Sequence, residues 1–453
     1  MVREPEHQDQ LHSMVSRFFR EYGIASLLKQ ANIRKVDGVP VAQVFQFLFQ
    51  LVFSGRSLSR MLKIPDVEFQ KDTVYRLLHS PRHNWRRFLL LLALTAVRRF
   101  SRLTSDDRAD VLIFDDSLYA RNRSKKVELL ARVFDHAAHR FVRGFRMLTL
   151  GWSDGNSFVP VAFSLLSSEK EENRLCGVSE SIDKRTSGYK RRCESIRKTT
   201  EVMFEMLSQA QHAGVTAKYL LFDSWFSYPS TILKAVTQHS MNVICMLKAM
   251  PKVYYEYEAQ RVTLSQLYKL VKKRRGRAKI LASLTVIVGR DEKDNPVTAK
   301  IVFVRNRNKS RDWLALLSTD TSLSDEEVVR IYGKRWDIET FFKMTKSYLR
   351  LAKELQGRSY DLMVAHTTVV FSRYIMLSVL SREDKDVRTL GTLFYDCCDE
   401  IADIRFIDVL QTLISILRRA LQEFVEQDPA VIDRIVELFI QQLPAPLRGK
   451  LAA

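Results

Sequence analysis

Two short apolar runs, each followed by an aspartate, constrain the fold of this chain more than any other feature. Residues 111–114 (Val-Leu-Ile-Phe) precede Asp115 and Asp116, and residues 218–222 (Lys-Tyr-Leu-Leu-Phe) precede Asp223. Short, continuous apolar runs are typical of strands that are buried on both faces. If the two strands are neighbours in one sheet, their terminal carboxylates lie at the same edge. The sequence therefore predicts a buried central sheet with acidic side chains at one edge.

Between these two runs, the pattern is that of a hairpin and then a helix. Residues 145–152 and 157–165 are typical of two strands joined by a Ser-Asp-Gly-Asn turn. We expect the polar residues 167–192 to form a surface loop over the substrate, and residues 193–213 to form a helix. The order strand, hairpin, helix, strand resembles the ribonuclease-H-like fold. We therefore predict an α/β ribonuclease-H-like core.

A third acidic residue lies on a helix that we predict over residues 325–353. Serine precedes this segment and acidic residues open it, as is typical of a helix N-terminus. Tyr332, Arg335, Glu339 and Lys346 fall within roughly 60° of arc on this helix. The carboxylate can bind a divalent ion, and the cations can neutralise phosphates beside it. A solvated helix face with one i,i+4 ion pair is the alternative.

The spacing of these four residues also has a counterpart in a known family. The spacing is Tyr-x2-Arg-x3-Glu-x6-Lys, where x is any residue. It resembles the YREK signature of transposases of the insertion sequence four family. The resemblance covers about residues 110–356, and all four signature positions match without a gap. It implies a DDE triad of Asp115, Asp223 and Glu339.

The triad implied by this resemblance would bind two divalent ions, Mg²⁺ or Mn²⁺, about 4 Å apart. These ions would activate a water or a 3′ hydroxyl for attack on a phosphodiester. Asp116 is an alternative to Asp115 as the first ligand. In the sequence Asp223-Ser-Trp-Phe, Trp225 stands where the family usually has Gly or Ala.

The resemblance also implies DNA contacts outside the triad. Tyr332, Arg335 and Lys346 would contact phosphates near the cleaved DNA end. Trp313 lies 26 residues before Glu339, near the place where some transposases with this signature stack a Trp on a flipped base. A Trp that packs in the core at the start of a strand is the alternative.

A basic, strand-rich insertion over residues 224–320 interrupts the catalytic domain that we predict over residues 106–358. Residues 248–309 contain 16 basic and 5 acidic residues, and therefore carry more than half of the chain's net charge of +20. We expect this insertion to grip the phosphate backbone, with an affinity that falls steeply with salt. A solvated basic loop is the alternative. Its densest tract consists of Lys272, Lys273, Arg274, Arg275 and Arg277.

Helical regions flank the predicted catalytic domain on both sides. Residues 1–105 form an all-α region, for which DNA binding and a purely structural bundle are equally good interpretations. Residues 71–76 could open a helix that reaches a DNA groove. Residues 359–453 form a second all-α region that either pairs protomers or covers the catalytic domain. Paired element ends would require at least a homodimer on DNA.

Composition limits the remaining classes of function. Five cysteines without CxxC spacing, and an HxxH formed by His136 and His139 without a zinc-site context, argue against disulfides and zinc. The apolar residues 41–53 and 88–97 are shorter than the roughly 20 residues of a membrane span, so we expect no membrane segment. The charged start excludes an ordinary secretory signal, and we expect a cytoplasmic, nucleoid-associated protein. The chain has no Gly-rich phosphate loop, so we expect no nucleotide cofactor.

Together these patterns predict a DNA transposase that cuts insertion-sequence ends and transfers the strands into double-stranded target DNA, with a DNA hairpin as one route. Two alternatives stay open. One is a transposase-derived DNA-binding protein without catalysis, and the other is a ribonuclease-H-like nuclease without strand transfer.

Overall fold

The computed structural model describes most of the chain, with gaps between the described segments. These segments are residues 14–35, 37–63, 67, 69–103, 108–135, 138–178, 181–274, 278–306, 312–355, 357–383, 389–424 and 429–443. The strands are β1 (Val111–Ala120), β2 (Ala131–Asp135), β3 (Arg140–Ser153), β4 (Phe158–Leu166), β5 (Tyr219–Phe222), β6 (Asn242–Leu247), β7 (Tyr254–Tyr257), β8 (Gln260–Thr263), β9 (Ile280–Arg290), β10 (Pro296–Arg305) and β11 (Trp313–Ser318).

Helices precede the sheet, cross over its faces and follow it. They are α1 (Met14–Glu21), α2 (Ile24–Gln30), α3 (Val41–Gln50), α4 (Leu58–Met61), α5 (Lys71–His79), α6 (Trp85–Ser101), α7 (Ser187–Ser195), α8 (Thr199–His212), α9 (Pro229–His239), α10 (Leu264–Leu270), α11 (Asp325–Gly333), α12 (Trp336–Ser347), α13 (Tyr360–Glu383), α14 (Leu390–Phe424) and α15 (Pro429–Gln442).

The core of the sheet has the strand order β4–β3–β1–β5–β6. The first three strands pair antiparallel, with Val111 opposite Ser153, whereas β1, β5 and β6 run parallel. The parallel pairing places Phe114 opposite Phe222, so the residues that follow them, Asp115 and Asp223, lie at the same level of the sheet. This is the topology of the ribonuclease-H-like fold, and the predicted fold class is confirmed.

The predicted insertion, residues 224–320, includes the core strand β6, and its other strands extend the same sheet. β11 pairs antiparallel with β6, and β10, β9, β7 and β8 follow in that order. The apolar side chains of β9, β10 and β11 belong to the same hydrophobic core as those of β1 and β5. The insertion therefore continues the catalytic sheet at its edge.

Several predicted boundaries differ from those in the structure. The single helix predicted over residues 325–353 is wrong, because α11 ends at Gly333 and α12 starts at Trp336. The polar segment 167–192 is not entirely a loop, since α7 begins within it, and the next helix begins at Thr199 instead of residue 193. β1 also continues to Ala120, so Asp115 lies within that strand and not at its tip.

The long helix α13 lies at the centre of the molecule and contacts α5, α6 and β4. Among the described helices, only its residues 360–382 are long and apolar enough to cross a membrane, and the most apolar window is completely buried in the protein. A buried core helix passes the same length and composition test, so this finding is weak evidence for a membrane segment.

A charged cluster at the start of β1 provides a test of stability. Burial and the carboxylate of Asp154 raise the pKa of Asp110 to about 6, although Lys334 opposes the shift. The stability that protonated Asp110 contributes is therefore complete below about pH 4 and is lost as the pH rises to about 6. We expect Asp110→Asn to increase the free energy of unfolding by about 1 kcal/mol above pH 6, a value reduced for the partial exposure of this group.

Urea denaturation of wild-type protein and Asp110→Asn at pH 5 and pH 8 would measure this effect. The difference in unfolding free energy should be larger at pH 8. An equal difference at both pH values would show that the charge of Asp110 is not its cause.

Candidate active site

Arg335 joins two members of the predicted triad. Its Nη1 donates to Asp115 Oδ2 at 3.3 Å, and its Nη2 donates to Glu339 Oε1 at 2.5 Å. Arg335 precedes the first turn of α12, which places Glu339 one turn further along the helix. The break between α11 and α12 therefore lies at the residue that connects these helices to β1.

Asp223 lies close enough to Asp115 for their charges to interact. Burial and the charge of Asp223 raise the pKa of Asp115 to about 7, although Arg335 opposes the shift. Burial also raises the pKa of Asp223, while Arg335 and a backbone hydrogen bond from Trp225 oppose that shift. The two buried aspartates are thus costly to ionise together without a neighbouring positive charge.

Asp116 has a different partner from Asp115. Arg146 on β3 donates to Asp116 Oδ2 through a short ion pair. Successive side chains of a strand point to opposite faces, which separates the Arg335–Asp115 contact from the Arg146–Asp116 contact. This geometry supports Asp115, instead of Asp116, as the metal ligand, because Arg335 connects Asp115 to Glu339.

The other two signature residues lie beside this cluster. Lys346 Nζ donates to Ser117 Oγ at 2.5 Å, on the same strand as Asp115. Burial lowers the pKa of Lys346, although Asp135 and Asp116 oppose the shift. Tyr332 is buried with its ring 5.8 Å from the Arg335 guanidinium, and burial raises the pKa of its hydroxyl. The contacts of these residues with DNA phosphates stay a prediction.

The donor chemistry of the cluster fits a divalent cation. Asp115 and Asp223 supply hard carboxylate oxygens, and a cation between them would stabilise the charged forms that burial disfavours. Within the described ranges, however, no three His, Cys, Asp or Glu side chains are already arranged to hold one ion. In this arrangement the guanidinium of Arg335 pairs with the carboxylates of both Asp115 and Glu339.

Trp313 lies in a cluster of aromatic side chains. Its ring stacks on Tyr268 with centroids 4.7 Å apart, and it meets the edge of Phe303 at 5.1 Å. The side chain is partly buried against the hydrophobic core. These contacts favour the alternative that Trp313 packs at the start of β11, whereas its stacking on a DNA base stays a prediction.

The predicted basic tract is only partly described by the structure. Arg275 and Arg277 lie outside the described residues, as does His136. Arg274 donates to Asp325 at 2.8 Å, at the start of α11. The remaining two residues of the tract are exposed on the chain after α10, namely Lys272 and Lys273. Arg274 thus has a structural partner, and the grip of the tract on DNA stays a prediction.

Several features of the site were absent from the sequence prediction. Arg146 and the strand β2 were not recognised, because their roles depend on pairing across the sheet. Trp336 is 63% exposed and lies 5.7 Å from the Arg335 guanidinium. Because Trp336 directly follows Arg335 of the signature, the sequence already indicated that Trp336 lies at this site.

One comparison with known proteins identifies a family for this chain. A family model described as DDE superfamily endonuclease matches residues 49–302, which is more than half of the chain. The matched part includes Asp115 and Asp223 and ends before Glu339. Comparison with curated proteins finds no significant match. Endonuclease domains of this kind act on DNA and typically use divalent metal ions. The chain therefore belongs to the DDE superfamily endonuclease family.

Proposed function

We propose that this protein is a DNA transposase of the insertion sequence four type, which cuts the ends of an element and joins them to target DNA. The observation that carries the proposal is the contact of Arg335 with both Asp115 and Glu339. Residues that are 220 positions apart thereby form one polar cluster at the level of Asp223. The signature pattern and the family match support the same conclusion.

Asp115, Asp223 and Glu339 are the residues that would hold divalent ions. Such ions, Mg²⁺ or Mn²⁺ and two in number, supply Lewis-acid activation of the attacking and leaving oxygens. Arg335 keeps a positive charge among the carboxylates and can also pair with phosphate, because a guanidinium forms bidentate contacts with either group. Lys346 adds a second positive charge beside β1. The chain thus positions cations where the charge of a phosphodiester has to be neutralised.

Cleavage and joining need two element ends in one complex, so we expect a homodimer on DNA. The helix α14 supports this expectation, because it exposes Val409, Leu413 and Ile416 at a spacing typical of a helix–helix seam. The mass of the protein–DNA complex in light scattering would measure its stoichiometry.

Incubation of the protein with DNA that carries the ends flanking its gene tests the proposed activity. With Mg²⁺ or Mn²⁺, we expect nicks at the element boundary and joining of the 3′ ends to a target plasmid. Glu339→Ala should lose both reactions while retaining DNA binding. Nicks without joining would favour the nuclease alternative, and tight binding without nicks under both metals would favour the DNA-binding protein without catalysis.

A further inference from the structure

Trp225 is an exposed aromatic residue beside a predicted catalytic carboxylate. We propose that its indole ring stacks on an unpaired DNA base next to the cleaved phosphodiester. This inference rests on the proposed function, because it requires Asp223 to lie at the cleavage site. Trp85 and Trp152 are buried, and Trp313 is stacked on Tyr268, whereas Trp225 is 47% exposed. Trp336 is also exposed, but it lies on α12 beside Arg335, whereas Trp225 lies in the turn of Asp223.

The position of Trp225 is fixed by the turn that also holds Asp223. The backbone N–H of Trp225 donates to Asp223 Oδ1 at 2.9 Å. The following residue, Phe226, is buried in the hydrophobic core and so holds the turn against the core. The indole and the carboxylate are therefore held by the same few residues, so a phosphate near Asp223 brings its nucleotide close to the ring.

Arg146 orients the indole ring. Its guanidinium lies 5.0 Å from the ring centroid of Trp225, and the same guanidinium is paired with Asp116. A ring that is already held by a cation–π contact loses little conformational entropy when a base stacks on it. The cation also adds attraction for the phosphate that accompanies the base.

The edge of the sheet beside this ring can accommodate a strand of DNA. β1 continues to Ala120, beyond Phe114, its last residue paired with β5. The turn after β5 therefore lies beside the part of β1 that β5 does not cover. Bases within a duplex have their faces hidden by neighbours, so the partner of the ring must be an unpaired base.

The test uses a forked DNA duplex with an unpaired 3′ overhang that contains 2-aminopurine, compared with a fully paired duplex of the same length. Binding is measured in EDTA, so that cleavage does not contribute. Stacking on an aromatic side chain changes affinity about 5- to 150-fold per base. We expect Trp225→Ala to weaken binding of the forked DNA by a factor in this range, and to change binding of the paired duplex less than about twofold.

Two further variants make the comparison specific. Trp225→Phe keeps an aromatic ring and should retain most of the affinity for the forked DNA. Phe141→Ala is the matched control, because Phe141 is also exposed and faces a guanidinium, that of Arg132 at 5.4 Å, outside the strand-rich insertion. This control should bind both DNAs as the wild-type protein does, and thermal unfolding should show that all variants are folded.

The 2-aminopurine signal separates stacking from a general loss of binding. Wild-type protein should quench its fluorescence at saturation, and Trp225→Ala should not. Equal affinities and equal quenching for Trp225→Ala and wild-type protein would overturn the proposal, even if the wild-type protein cuts DNA. The expected difference in a protein that cuts no DNA would support stacking and contradict only the proposed cleavage.

Discussion

Asp115→Asn should reduce the rate of DNA cleavage by at least roughly 10³-fold, as expected when one member of a catalytic unit is removed. The reason is that Asp115 is the buried carboxylate that contacts Arg335 and interacts with Asp223. An amide has almost the same shape but lacks the charge that a divalent ion requires. Single-turnover cleavage of end-bearing DNA, with Mg²⁺ and with Mn²⁺, measures the change directly.

Asp116→Asn is the matched control for this experiment. It removes the same charge from the adjacent residue, whose partner is Arg146 instead of Arg335. We expect a loss of about 10-fold or less, because the variant removes the support of Arg146 and a charge beside Asp115 and Asp223, but leaves both of these carboxylates in place. A larger loss in Asp116→Asn than in Asp115→Asn would contradict the assignment and identify Asp116 as the ligand.

Arg373→Met should destabilise the folded protein by about 3–5 kcal/mol, because it leaves a buried carboxylate without its partner. Arg373 on α13 is completely buried and donates to Glu354 Oε2 at 2.7 Å. It also donates to the carbonyl oxygens of Leu48 and Phe49 at the end of α3. Burial would raise the pKa of Glu354, but Arg373 lowers it overall, so this carboxylate is charged at neutral pH.

Chemical denaturation of Arg373→Met against wild-type protein measures this effect. Arg185→Met is a suitable control, since Arg185 also pairs with a carboxylate but is exposed to solvent, and its unfolding midpoint should not change. The double variant Arg373→Met/Glu354→Leu should recover part of the lost stability, because it removes the unpaired charge. Equal stability of wild-type protein and Arg373→Met would show that neither the ion pair with Glu354 nor the hydrogen bonds from Arg373 to α3 stabilise the fold.

The sequence alone was sufficient to predict the fold class of the core. Short apolar runs followed by Asp115 and Asp223 predicted two strands, because strand burial and periodicity are encoded locally. The hairpin between them followed from its turn residues for the same reason. These elements also fixed the fold class, since few topologies bring the two strands side by side. The predicted acidic end was wrong for Asp115, since β1 continues to Ala120.

Local patterns failed where a boundary depended on weak signals. Residues 325–353 contain no proline and were predicted as one helix, yet the helix breaks after Gly333. Glycine is about 1 kcal/mol less favourable than alanine within a helix, so Gly333 was a usable signal. Arg335, which contacts Asp115 and Glu339, lies at this break between α11 and α12.

The sequence by itself determined which carboxylates and cations this protein has available and which strands carry two of them. Only the tertiary structure decided their partners: Arg335 between Asp115 and Glu339, Arg146 on Asp116, and Arg373 under α3. The physical reason is that ion pairs and ring contacts join residues that are distant in sequence. Such contacts depend on sheet register and helix packing, which leave no periodic pattern in the chain.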